Sequence, residues 1–202
     1  MSNNRTSLSM VERTDLRVTR IVGINQNGDA ARWLARFADL GDQPPMIGLA
    51  VLTIAAGLLR RDERLARTGL RMLAAHSIAT MGKLAVKDTV DRTRPGALNE
   101  KAYCLEQGTS RDGRLRSMPS GHSAGVMAIA GAIGPYYPGA ILPAAAAATS
   151  IAGAQLPSKN HFLSDVLVGA GIGLAAAAIA RLLIPPIEKL GGRTAPLTRS
   201  EL

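Results

Sequence analysis

The chain is expected to be all-α, a multi-helix membrane bundle of about five spanning helices preceded by an amphipathic helix. Three observations predict this. Hydrophobic residues make up 47% of the 202 positions but aromatics only 3%, and there are 21 glycines, so the apolar content is of the small and aliphatic kind that lets helices pack closely. Long apolar runs recur along the chain, with charged residues gathered at their ends. Pro44-Pro45, the stretch Gly134-Pro135-Tyr136-Tyr137-Pro138-Gly139, and Pro185-Pro186 punctuate those runs where helices must begin or stop.

Residues 1–28 are polar and basic, contain no apolar run of signal-peptide length, and are expected to be a flexible tail. Residues 29–40 carry Trp33, Leu34, Phe37 and Leu40 on one helical face, with Arg32, Arg36 and Asp39 off it. Such a helix either lies flat on a membrane or covers a protein surface. Apolar helices follow at 46–59, ending at Arg60-Arg61, and at 66–86, which carries Arg71, His76 and Lys83. After a polar stretch at 96–118 come 122–134, 140–156 and 162–184. The runs 140–156 and 162–184 reach spanning length, while 46–59 and 122–134 fall short without their polar ends. The helical domain is thus 29–186, with a C-terminal tail at 187–202. The mean hydropathy of +0.10 reflects long polar ends around an apolar middle. Tyr136 and Tyr137 suit an interfacial belt.

The net charge of +9 admits anionic lipid or an anionic substrate; nucleic acid is disfavoured, because the arginines flank apolar runs and few aromatics are available for stacking bases. A single cysteine, Cys104, excludes an intramolecular disulfide and any zinc site built on several cysteines.

Three groups of polar residues stand at helix ends. Lys87 lies seven positions before Arg94, about two helical turns, and Pro95 disfavours helix at Arg94. Two cations on one face make an anion site, the arginine as a planar fork and the lysine as a point charge; snorkelling beside Asp88 and Asp91 is the plainer alternative. Pro119-Ser120-Gly121-His122 opens the helix 122–134. Ser120 suits the N-cap, the first N–H groups are free to meet a phosphate, Gly121 permits close approach, and His122 can move a proton near neutral pH. His161 and Asp165 are four positions apart, on one face, where the carboxylate can hold the imidazole in one tautomer or simply cap the helix. Counting helices back and forth brings all three groups to one end of the bundle.

In their order and spacing, Lys87…Arg94-Pro95, Pro119-Ser120-Gly121-His122 and His161…Asp165 resemble the type-2 phosphatidic acid phosphatase superfamily. The resemblance covers about residues 46–184. It implies a phosphatase that needs no metal and no cofactor. His161 would be the nucleophile, passing through a phosphohistidine. Asp165 would orient it, and His122 would protonate the leaving group. Lys87, Arg94, Ser120 and Gly121 would hold the phosphate oxygens. One departure stands out. Where the family usually has an arginine six residues before the nucleophile, this chain has Gln155, preceded by Ala154, so a phosphate-binding cation is missing. Lys159, Arg92 and Arg116 are the candidates to replace it. Arg111, Arg114 and Arg116 sit in 96–118, expected to be either a lid over the pocket or a solvated loop.

The expected function is hydrolysis of a lipid phosphomonoester or pyrophosphate, with membrane lipids as surroundings. Two alternatives are a catalytically weakened binder of anionic headgroups and a soluble acid phosphatase. The resemblance implies a multi-pass protein of a bacterial inner membrane with an outward-facing site, and Arg60, Arg61, Arg64 and Arg67 suit a cytoplasmic position for the opposite end.

Overall fold

A computed structural model describes residues 8–26 and 28–185. Among these, seven helices form: α1 (Met10–Val22), α2 (Asp29–Asp39), α3 (Gln43–Leu59), α4 (Glu63–Lys87), α5 (Gly121–Ile133), α6 (Ile141–Gly153) and α7 (Leu163–Leu183). Between α4 and α5, two short strands, β1 (Val90–Arg92) and β2 (Leu105–Gln107), pair antiparallel with Asp91 opposite Glu106. The protein is predominantly helical, and among the described residues the hairpin is the one addition to the expected class.

Local chemistry sets the helix ends. Pro44 and Pro45 sit in the first turn of α3, where an absent N–H costs nothing, so the helix begins at Gln43 rather than after the prolines. Asp62 caps α4 by accepting from the Leu65 N–H at 3.0 Å. Ser120 caps α5 by accepting from the Ser123 N–H at 3.3 Å. At α7 the carboxylate of Asp165 accepts from the Phe162 N–H at 2.8 Å.

Residues 10–22 correct the expectation of a tail over 1–28. Ser9 and Glu12 form a reciprocal capping box that starts α1, and Asp15 is buried against the bundle. A polar composition hid a helix that docks through one charge rather than through an apolar face. Residues 187–202 lie outside the described residues.

The core is built from small side chains: Ala75 and Ala79 of α4, Ala124, Ala128 and Ala132 of α5, and Ala176 and Ala180 of α7. Their spacing of four keeps each set on one helical face. Gly169 and Gly173 bring α7 so close to α5 that a Cβ on either would collide with the carbonyl oxygen of Ser120 or of Ala124. The start of α7 is thereby pinned to the start of α5, which places residues 119–122 and 161–165 side by side.

Among the described residues one helix, α7, is long and apolar enough to cross a membrane, with a mean hydropathy of 2.1; α2 and α3 meet that standard only together, across a 44° bend. Helices α5 and α6 are shorter apolar elements, and α4 carries Arg71, His76 and Lys83 along its length. Large aliphatic side chains on α3, α6 and α7, among them Leu52, Leu59, Leu142, Leu167 and Leu182, face outward. On α2 the apolar face of Trp33, Phe37 and Leu40 is exposed, and Ala31 and Ala38 pack inward instead.

Candidate active site

Where α4 ends and α5 and α7 begin, a cavity of about 350 Å³ is lined by Gly41, Asp42, Gln43, Lys83, Lys87, Arg94, Gly121, His122, Gln155, Asn160 and His161. Five elements contribute: the α2–α3 elbow, the end of α4, the loop after β1, the first turn of α5, and the loop between α6 and α7. A larger hollow of about 540 Å³ at the opposite end of α5 and α7 is lined by groups such as Gly131, Pro138, Leu174 and Ala177, with Arg181 as its charged residue. It holds no acid–base pair, so the smaller, polar cavity is the candidate site.

His161 is buried except where it meets the cavity. Its Nδ1 lies 2.7 Å from the Ser117 carbonyl oxygen and 3.9 Å from Asp165 Oδ2. The direct partner is therefore a backbone carbonyl, which can only accept; it fixes the proton on Nδ1 and leaves the Nε2 lone pair free. Asp165 stands behind, accepting from the Ser117 hydroxyl (2.6 Å), the Phe162 N–H (2.8 Å) and Arg92 (2.6 Å). Asp165 thus stands beside the imidazole as expected, at 3.9 Å, and is also joined to it through Ser117: Asp165 holds the Ser117 hydroxyl, and the Ser117 carbonyl holds His161. Burial pulls the His161 imidazole down to about 4, with the cations of Arg94 and Lys87 adding to the effect and Asp165 opposing it. The ring is thus neutral at physiological pH.

Arg92 is the buried hub of this arrangement. One arm of its guanidinium reaches Asp165 and Ser164 (2.6 Å each), and the other reaches Asp15 of α1 (2.6 Å) and the Tyr103 hydroxyl (3.2 Å). Asp15 in turn accepts from the Ser164 N–H at 3.0 Å. Burial alone would weaken the Arg92 charge, but the two carboxylates more than offset it and hold its proton more tightly than usual.

The expected anion-binding cations meet at the cavity. Lys87 donates to the Arg116 carbonyl at 3.1 Å, and Arg94 donates to the carbonyls of Gly113 (2.8 Å), Asn160 (3.2 Å) and Arg116 (3.3 Å). Both are positioned by neutral backbone groups rather than by carboxylates, so their charge remains available to a ligand. The N–H groups of Gly121 and His122, at the start of α5, have no acceptor among the described residues. Ser120 is the expected N-cap of α5; it is buried, does not line the cavity, and its hydroxyl meets that of Ser123 at 2.9 Å. Its backbone N–H donates to the Asp165 carbonyl at 3.0 Å, tying α5 to α7.

The profile of the PAP2 superfamily matches residues 68–188, more than half of the chain and all three motifs. The chain belongs to the PAP2 superfamily. Two solved structures share the fold: LpxE of Aquifex aeolicus, at 22% identity over 83% of this chain and 94% of that one with a TM-score of 0.62, and the transmembrane PAP2 type phosphatidylglycerolphosphate phosphatase of Bacillus subtilis, at 17% identity over 95% and 90% with a TM-score of 0.64. No curated protein matches the sequence.

In this PAP2 chain the candidates to replace the missing arginine are all engaged elsewhere. Arg92 is the hub just described. Arg116 pairs with Asp88 at 2.8 Å, and Lys159 lines a separate hollow with Thr19, Arg20 and Gly23. Gln155 itself is fully buried at the cavity. The segment 96–118 is not the expected lid: none of its residues lines the cavity, and it braces the site from behind through the carbonyls of Gly113, Arg116 and Ser117. Arg111 is exposed, and Arg114 pairs with Asp112 and Glu100.

Sequence reasoning missed Asp42, whose Oδ1 lies 2.9 Å from His122 Nε2, and Lys83. Asp42 was legible only as the N-cap of α3. Asp39, Asp42 and His122 bring ligand atoms within 4.8 Å of one another, the grouping among the described residues with the geometry to take a cation.

Proposed function

We propose that this protein is a membrane lipid phosphatase that cleaves a phosphomonoester or pyrophosphate lipid through a phosphohistidine intermediate, without a metal. The observation that carries the reading is the state of His161: a neutral imidazole with Nδ1 turned to a carbonyl and Nε2 free, beside cations that no carboxylate among the described residues pairs with directly. Such a ring is a nucleophile waiting for an anion. The phosphate oxygens would meet Lys87, Arg94 and the free N–H groups at the start of α5. Charge developing on those oxygens in the transition state is met by donors already in place, which is the larger part of catalysis in phosphoryl transfer. Nε2 of His161 would attack phosphorus as the P–O bond to the lipid breaks. His122, oriented by Asp42, would hand its proton to the leaving oxygen, then take one from the water that releases phosphate. The apolar exterior of α3, α6 and α7 supports a multi-pass protein with the cavity at headgroup level.

The test is release of orthophosphate from detergent-dispersed phosphatidic acid, phosphatidylglycerol phosphate and an isoprenyl pyrophosphate, in the presence of EDTA. Turnover that survives EDTA and vanishes in His161→Ala is expected. Activity retained in His161→Ala, or lost to EDTA and regained with a divalent ion, would overturn the mechanism. Absence of turnover on any lipid would favour a headgroup-binding role, to which the neutral Gln155 already inclines.

A further inference from the structure

Lys83 belongs to none of the three motifs, yet it lines the cavity with Lys87, Arg94, His122, Gln155 and His161. It stands one helical turn before Lys87 on α4, so both ammonium groups project from one face. Its Nζ would lie 3.2 Å from a Cβ placed on Gly121, within reach of an anion seated at the first turn of α5. Lys87 and Arg94 are tethered to carbonyls, whereas no hydrogen bond or salt bridge engages Lys83 among the described residues. Across the same cavity, the fully buried Gln155 accepts from Asn160 Nδ2 at 3.2 Å through its Oε1, and its Nε2 has no partner. A buried donor without an acceptor costs stability unless a ligand completes it.

We propose that Lys83 is a phosphate-binding residue and that, with the Nε2–H of Gln155, it makes the contact an arginine at position 155 would make. The cation has moved from the loop before α7 to the last turns of α4, and the glutamine keeps one donor where the fork would have been. This rests on reading the cavity as a phosphate site.

Orthophosphate binding to the detergent-solubilised full chain, followed by titration calorimetry, tests the proposal directly. Removing a charged donor from a phosphate should weaken binding by about ten- to a hundredfold in Lys83→Met and in Lys83→Gln, two variants so that misfolding of one leaves the other. Lys83→Arg should stay within about threefold, since the charge is kept. In the double variant Lys83→Met with Gln155→Arg, binding should recover most of the loss. Wild-type affinity in both neutral variants, no recovery in the double variant, or no orthophosphate binding by the wild type overturns it. Lipid-phosphate hydrolysis in the same preparations separates this idea from the enzymatic one. Phosphate held through Lys83 without turnover sinks the phosphatase reading alone, and turnover with binding indifferent to Lys83 sinks only the present inference.

Discussion

Asp15 offers the sharpest test of how the site is held. It is 2% exposed and belongs to α1, some 150 positions from His161, which it supports, and its contacts are Arg92 (2.6 Å) and the N–H and hydroxyl of Ser164 (3.0 and 2.5 Å). In Asp15→Ala the buried guanidinium loses one of two carboxylates and the Ser164 N–H loses its acceptor. Breaking a buried pair in this way costs about 3–5 kcal/mol, which corresponds to roughly 6–20 °C in melting temperature for a chain of this size. Asp15→Asn keeps the shape and one acceptor oxygen, and should lose less. Function should suffer as well, because Arg92 uses its other arm on Asp165, which holds Ser117 and through it His161. If His161 is the nucleophile proposed above, its displacement by a fraction of an ångström should lower kcat by about tenfold or more with KM little changed. Thermal unfolding in detergent, followed by intrinsic fluorescence, and lipid-phosphate turnover are the assays. If Asp15→Ala melts with the wild type and turns over at the wild-type rate, α1 is an ornament and the hub reasoning is wrong.

Two further predictions concern charge and packing. In the proposed mechanism His161 attacks as the neutral ring, so kcat/KM should fall as pH drops through the region near 4, and the acid limb should move to higher pH in Lys87→Met, which removes a cation that disfavours the imidazolium; a limb that stays or moves lower contradicts the assignment. Gly169→Ala should destabilise by about 1–3 kcal/mol and depress turnover, because the new methyl meets the Ser120 carbonyl where α7 touches α5, whereas Gly171→Ala, with open space at its Cβ, should be neutral or slightly stabilising; equal unfolding midpoints would refute the close-approach account.

Six of the seven helices were legible because apolar runs, prolines and capping residues mark them independently of tertiary contacts. Convergence of Lys87, Arg94, His122 and His161 was legible too, since successive helices must alternate ends. What escaped had physical reasons. Helix α1 buries a charge instead of an apolar face, so hydropathy is blind to it, although Ser9 and Glu12 already spelled a capping box. The β1–β2 hairpin has three residues a side, too few for alternation to show. The Ser117 carbonyl that sets the His161 tautomer belongs to the backbone, and side-chain identity carries no trace of it. For Ser120 the chemistry fits two jobs equally well, phosphate donor and helix cap; the structure shows the second. Lys83 looked like one of several cations on a long helix until the α5 turn was seen beside it.

The 44° elbow between α2 and α3 supplies Gly41, Asp42 and Gln43 to the cavity rim, and Trp33 and Phe37 on the arm before it point away from the protein. An arm whose greasy side rests on lipid takes its tilt from the depth and curvature of the leaflet beneath it. On the proposed function, the partner of His122 rides on a lever whose far end would feel the bilayer, and proton delivery to a departing lipid would then be sensitive to the thickness of the sheet in which that lipid is dissolved.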